Sequence, residues 1–363
     1  MDANRRHALH AGAAALLGGF MPTLSAQGTR LPKAIRIAGG ASYDNGKLRL
    51  SGLGHVVAEQ GWLAKQLAAR GVGLEWFSTA HSATGPMINE GFANGSVDFA
   101  GYGDLPSAIL NAGGVETRLV MPHGLGTGEG FLVVPIDSPA RSINDLKGKK
   151  LAIHRGRPWE MPLVRLLHSQ GLKYSDFKLF NINPEAGMAA IASRKMDAMF
   201  TTTSAYLLED RKVGRIIWST LDADPGWKTR TDFFVARSFV DRWPDLTQTV
   251  VTAYVKAAHW ASRAENEEAM IRVATNNGTP ESVVRRSYAD RRVDWKNRWS
   301  VLYNEVVPDH YRRTVAFALE QKLISRPVDV NTWFDRRFTQ AALKELQIEG
   351  WWEPVPLVRH KAA

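Results

Sequence analysis

The sequence predicts an α/β protein of two lobes, and three observations carry that reading. The first is a strand–turn–helix junction. Val97 to Ala100 form a short apolar run around one acid, Gly101-Tyr102-Gly103 frees the backbone for a turn, and Asp104 and Pro106 open a helix. The second is its echo further along. Arg194 to Phe200 is followed by Thr201, Thr202, Thr203 and Ser204, with Asp197 in the place of Asp98 and Ser204-Ala205 in the place of Ser107-Ala108. The third is length: 363 residues exceed one ordinary core and suit two. Each junction presents unpaired backbone N–H groups at a sheet's carboxyl edge, where α/β proteins take up small, often anionic, ligands.

The elements follow in order. Arg5-Arg6 precede an apolar run from Ala8 to Phe20, and small residues from Thr23 to Ala26 offer a cleavage site. Residues 1–26 therefore read as a removable export signal, too short to span a bilayer, and Asn4 to Leu9 resembles a twin-arginine export motif. Ala34 to Ala38 alternates as a strand and ends in the loop Gly39 to Ser42. His55 to Ala69 has helical spacing, with Gly71 as its stop. Val72 to Phe77 is a second strand running into a hydroxyl-rich loop, Ser78 to Thr84, before a helix from Pro86 to Ala93. Thr117 to Met121 closes the series β-α-β-α-β-α-β. Gly124 to Gly130 is glycine-rich, but Glu129 stands where a dinucleotide motif needs its last glycine, and a strand (Phe131 to Val134) follows rather than a helix. It reads as a joint between lobes.

Ser142 to Ile153 is a helical turn leading into a strand, and here the chain resembles the second lobe of solute-binding proteins of bacterial ABC importers, in the nitrate/sulfonate/taurine-type branch. Glu59-Gln60-Gly61-Trp62-Leu63, Gly103 to Ser107, and Phe233 to Val240 followed by Trp243-Pro244 are similar to that family, and the likeness covers most of residues 34–350. The resemblance implies a type II periplasmic binding protein fold. Its lobes are joined by a two-strand hinge, and a helical C-terminal tail packs on lobe 1. The expected division is 34–128 with 232–363 as lobe 1 and 129–231 as lobe 2. It also implies a periplasmic location, a small-molecule ligand, an inner-membrane permease as partner, and a monomer without cofactor.

The rest of the second lobe reads as a helix from Met161 to Ser169, a strand from Phe177 to Asn181, a helix opened by Asn183, a strand from Met196 to Phe200, and a strand from Arg215 to Trp218. From Asp241 the text is helical: Leu246 to Ala264, Glu267 to Thr275, Pro280 to Tyr288, Pro308 to Gln321 and Phe338 to Leu346. The scattered tryptophans of this tail suit packing better than a ligand cage.

Composition narrows the function. A formal net charge of +10 is spread along the chain without a basic–aromatic module, which favours an anionic small ligand over nucleic acid. The chain has no cysteine, which removes thiol nucleophiles, thiolate metal sites and disulfides together. His81, His123, His154 and His168 lack metal-motif spacing, and no Gly-x-Ser-x-Gly elbow occurs. Enzymes that resemble this lobe layout cleave sulfinates with a cysteine nucleophile.

Candidate ligand contacts are loops at strand ends. Ser42, Ser78, Thr79 and Ser107 offer hydroxyls from the first lobe, and Thr202, Thr203 and Ser204 from the second, although N-caps and turns use the same residue types. His81 lies in the Ser78 to Thr84 loop. Arg155 and Arg157 suit an anion. Tyr43, Tyr102, Trp159 and Tyr206 are candidate walls for an organic tail. Asp104 and Glu185, if they face the cleft, call instead for an ammonium or another donor. The expected ligand is a sulfonate- or carboxylate-bearing organic anion. The rival readings are a pyrimidine- or thiamine-precursor binder and an enzyme on the same scaffold.

Overall fold

The computed structural model describes residues 30–79, 84–124, 128–221, 223, 227–289 and 294–354. The export segment with Arg5 and Arg6, His81, and residues 125–127 of the glycine-rich joint lie outside the described residues. Twelve strands are described: β1 (Ala34–Ala38), β2 (Ala41–Asp44), β3 (Lys47–Leu50), β4 (Gly73–Phe77), β5 (Phe99–Gly103), β6 (Thr117–Met121), β7 (Phe131–Pro135), β8 (Lys150–Ile153), β9 (Lys178–Asn181), β10 (Ala198–Thr201), β11 (Gly214–Ser219) and β12 (Thr231–Ala236). They form two five-stranded sheets, ordered β4-β1-β5-β12-β6 and β11-β7-β10-β8-β9, and a hairpin of β2 with β3.

In the first sheet β1 runs parallel to β4 and β5, while β12, returning from the second lobe, inserts antiparallel between β5 and β6. In the second sheet β8 runs parallel to β9 and β10, and β7 lies antiparallel to β10 and β11. Covered on both faces, the central strands are apolar runs; every residue of β7 is buried. The chain crosses between lobes after β6 and again before β12. At the crossings Gly128 and Thr229 pair antiparallel, each N–H donating to the other's carbonyl at 3.2 and 2.9 Å. The two-strand hinge is thus a bonded pair.

Aromatic contacts join β5 to the tail. Phe99 stacks on Phe233 at 5.7 Å, and Phe233 stacks on Tyr254 of the helix Pro244–Ala261 at 4.0 Å. The helices Pro244–Ala261 and Arg337–Glu345 bury their apolar faces in this same core, through residues such as Val250 and Ala342. One tail helix reaches elsewhere. Val283 of Glu281–Tyr288 shares a cluster with Phe131, Tyr206 and Leu208 of the second lobe.

Three local expectations are corrected. Gly101 to Gly103, read as a turn, instead extend β5, because they pair in register with Phe233 to Thr231 of β12. The helix read over His55 to Ala69 is two helices, Gly52–Gln60 and Trp62–Ala68, because Gly61 adopts φ +63° and turns the chain between them. The loop after β1 opens the β2–β3 hairpin, whose turn places Asn45 at φ +48° and Gly46 at φ +76°.

Candidate ligand-binding cleft

Two junctions face each other across the lobes. β5 ends at Gly103, the N-cap of the helix Asp104–Ala112, and β8 leads through 154–159 to the helix Glu160–Ser169, whose N-cap is Trp159. A Cβ on Gly103 would stand 2.5 Å from Pro158 Cγ, and one on Gly85 2.9 Å from Arg157 Nη1, so the lobes approach at positions without side chains. Gly85 lies at the start of the helix Thr84–Ala93, so a guanidinium stands at a helix N-terminus. Like signs meeting in this way favour an anion between them.

The cavity held between the lobes measures about 280 Å³. Thr84, Gly85, Gly101, Tyr102, Gly103, Pro106 and Thr231 line it from one side, and His154, Arg157, Pro158, Trp159 and Pro184 from the other. Tyr102 Oη and Trp159 Nε1 are buried without a hydrogen-bond partner among the described residues. Buried donors left unmatched cost stability, and an acceptor arriving with a ligand satisfies them. Burial raises the Tyr102 pKa well above its ordinary value, so the phenol stays a neutral donor. Burial, helped by Arg157, lowers the His154 pKa against the pull of Glu185, which keeps its imidazole neutral at pH 7. Arg157, 7% exposed, remains cationic although burial lowers its pKa.

Two further cavities adjoin. A floor of about 150 Å³ lies under Gly101 and Thr231, which line both it and the interlobe cavity; Leu53, Met121, Phe233 and Tyr254 make it largely apolar. His123 also lines the floor, and burial lowers its pKa to about 4, against the opposing pull of Asp232. The outer cavity, about 810 Å³, is lined by Ser42, Tyr43, Ser78 and Thr79 together with Arg49, Met87 and 275–278. The hydroxyls of Thr79 and Thr84, 3.3 Å apart, stand between the outer and interlobe cavities.

Several candidates lie elsewhere, each for a physical reason. Asp104 is fully buried. Its carboxylate accepts from the N–H groups of Leu105 (2.6 Å) and Arg230 (3.0 Å) and lies 2.5 Å from His310 Nε2. Ser107, also fully buried, donates its hydroxyl to the Asp104 carbonyl at 2.7 Å. Both serve the first lobe, so the donor-bearing ligand inferred from Asp104 loses its support. Arg155 is likewise committed: Nε donates to Glu160 at 2.7 Å, and the guanidinium lies 5.2 Å from the Tyr174 ring. Glu160, fully buried, also takes the Gly156 N–H and the Tyr174 hydroxyl. Glu185 is exposed and acts on the cleft through its charge on His154. Thr202, Thr203 and Ser204 are half-buried at the start of the helix Ser204–Asp210 and line none of the three cavities; the Ser204 and Thr201 hydroxyls are 2.6 Å apart. Tyr206 donates to Glu129 at 3.3 Å.

Of the sequence candidates, then, Tyr102, Arg157 and Trp159 meet in the interlobe cavity, and Ser42, Tyr43, Ser78 and Thr79 meet in the outer one. Sequence reasoning missed His154 as a wall, along with Pro158, Pro184, Thr231 and Gly101. Position directly after a strand was the available signal for His154, whereas Thr231 opens β12.

Two sheets of this order, a paired hinge, and a cleft walled by strand ends and helix starts define a two-lobed solute-binding protein. The chain belongs to the NMT1-like family, whose model matches residues 53–275. It is 44% identical to the crystal structure of a protein from Methylobacillus flagellatus named as the periplasmic sulfonate-binding protein SsuA, with a TM-score of 0.81 over 90% of this chain and 99% of that one. A Bacillus subtilis protein named as an aliphatic sulfonates-binding protein is 24% identical over 85% of this chain and 92% of its own. The desulfurization enzyme DSZB shares the fold at 18% identity, with a TM-score of 0.66 over 87% of this chain and all of that one.

Proposed function

We propose that the chain is the exported, ligand-capturing component of an ABC importer and that it closes on an organic sulfonate between its lobes. The observation that carries the reading is the convergence of Arg157, Tyr102 Oη and Trp159 Nε1, a cation and two unmatched donors, on one cavity. A sulfonate offers three acceptor oxygens and one negative charge to that set. The names of the relatives support the same class. Lobe 1 comprises 34–128 and 232–363 and lobe 2 comprises 129–231; residues 1–26 direct export to the periplasm by the twin-arginine route, and the monomer delivers ligand to a permease. The protein binds without turnover: the chain has no cysteine to act as nucleophile.

Isothermal titration with alkanesulfonates tests the reading. Arg157→Ala is expected to weaken binding by about 1.5–3 kcal/mol, the worth of a charge-assisted hydrogen bond, or roughly tenfold to hundredfold. Arg155→Ala is expected to leave affinity near wild type. Equal loss in both variants, or mass-spectrometric evidence of ligand turnover, overturns the proposal.

A further inference from the structure

We infer that Gly101 is the specificity-determining residue of the cleft, because its missing side chain leaves open the passage by which a ligand tail runs from the interlobe cavity into the floor beneath. This rests on the sulfonate reading above and adds where the tail goes. Gly101 and Thr231 are the residues that line both cavities, and Gly101 sits in β5, at the middle of the first sheet. Most glycines of the cleft are glycine for reasons of packing. A Cβ on Gly85 or Gly103 would press within 3 Å of Arg157 or Pro158, and one on Gly39 would strike the Gly101 carbonyl. Gly101 differs. A Cβ there meets nothing nearer than Phe233 Cδ2 at 3.8 Å, an ordinary contact, and its φ is not in the left-handed region. Neither space nor backbone demands glycine at this position, and the added group would stand beside Phe233, a wall of the floor.

The two cavities differ in chemistry. The interlobe cavity holds the cation and the unmatched donors, whereas Leu53, Met121, Phe233 and Tyr254 give the floor an apolar surface. No carboxylate lines the interlobe cavity among the described residues, and the one facing the floor, Asp232, has both oxygens engaged by Arg230. The geometry therefore selects a ligand with an anionic head at Arg157 and an apolar tail passing Gly101, and disfavours a tail ending in an ammonium, which would exchange hydration for apolar walls.

Titration of methanesulfonate, hexanesulfonate and taurine against wild type, Gly101→Ala and Gly101→Val tests this. Wild type is expected to bind hexanesulfonate best. Gly101→Val is expected to weaken hexanesulfonate by about tenfold or more while leaving methanesulfonate within about threefold, the discrimination that closing an apolar site by a methyl-sized group produces. Gly101→Ala gives the same pattern more weakly. Leu53→Phe, which fills the floor while leaving the β5 sequence unchanged, is expected to reproduce it and guards against a folding defect in the valine variant; melting without ligand checks each protein. Equal losses for all three sulfonates, no loss for hexanesulfonate, or tighter wild-type binding of taurine than of hexanesulfonate each overturns the role of Gly101. Failure of wild type to bind any sulfonate overturns the reading on which it rests.

Discussion

The Arg230 guanidinium, just before β12, grips the carboxylate of Asp232, two residues further on, at 2.6 and 2.9 Å, with both side chains essentially excluded from solvent. Arg230 also donates to the Gly124 carbonyl on the opposite crossing, and Asp232 accepts from the His123 N–H and the Tyr311 hydroxyl. One buried ion pair thus binds both hinge crossings to the tail helix Val306–Glu320.

Removing one partner of such a pair leaves the other charge buried and unmatched. Arg230→Ala is therefore expected to destabilise the ligand-free protein by about 3–5 kcal/mol, and Arg230→Lys by less, because an ammonium keeps the charge but loses the two-pronged geometry. Urea unfolding measures both. A loss below about 1 kcal/mol for the alanine variant, the worth of an exposed pair, contradicts a central role for the pair.

The same network explains what could be read from the chain and what could not. β1 and β6 stand at the residues read as strands, and Tyr102 and Trp159 are visible as site residues because one lies at a strand's end and the other at a helix start, where a side chain's destination is local. Asp104 occupies a similar local position, yet its carboxylate turns inward. Its partners, the Arg230 N–H and His310, lie 126 and 206 residues away, and only the folded topology brings them together. Arg155 and Arg157 are indistinguishable by type and spacing. Glu160 and Tyr174, which claim one of them, are recognised only once the 154–159 loop has its shape. The hairpin turn carries its own signal in Asn45-Gly46, a pair suited to positive φ.

Acid stability should depend on His123. Its ring is half-buried, with its open side on the floor cavity, and its pKa falls from 6.5 to about 4 on folding. A histidine with a depressed folded pKa contributes stability that is present above 6.5 and is lost as pH falls from 6.5 to about 4. The shift corresponds to about 2–3 kcal/mol, allowing for screening on the cavity side. Wild type should therefore lose that amount between those two pH values relative to His123→Gln, as measured by urea unfolding at each pH. Parallel stability profiles would remove His123 as the cause.

Lobe closure should answer to Arg286. The helix Glu281–Tyr288 is held to the tail by the Arg285 ion pair with Glu268 and also docks on the second lobe. There Arg286 donates to Glu209 at 2.6 Å and Asp210 at 3.2 Å, and its guanidinium lies 4.0 Å from the centre of the Tyr206 ring. This is a third link between the lobes, additional to the two hinge crossings. Its ion pairs are partly exposed, so the link contributes about 0.5–1.5 kcal/mol, too little to hold the lobes rigidly but enough to bias them. Arg286→Ala should therefore shift the ligand-free protein toward more open conformers, seen as a larger radius of gyration by small-angle scattering. Ligand binding should then weaken by about twofold to tenfold, because a smaller competent fraction lowers apparent affinity in proportion. The melting temperature without ligand should move little, since neither lobe core loses a buried group. An unchanged radius with unchanged affinity would mean that the helix rides with the second lobe and exerts no control over closure.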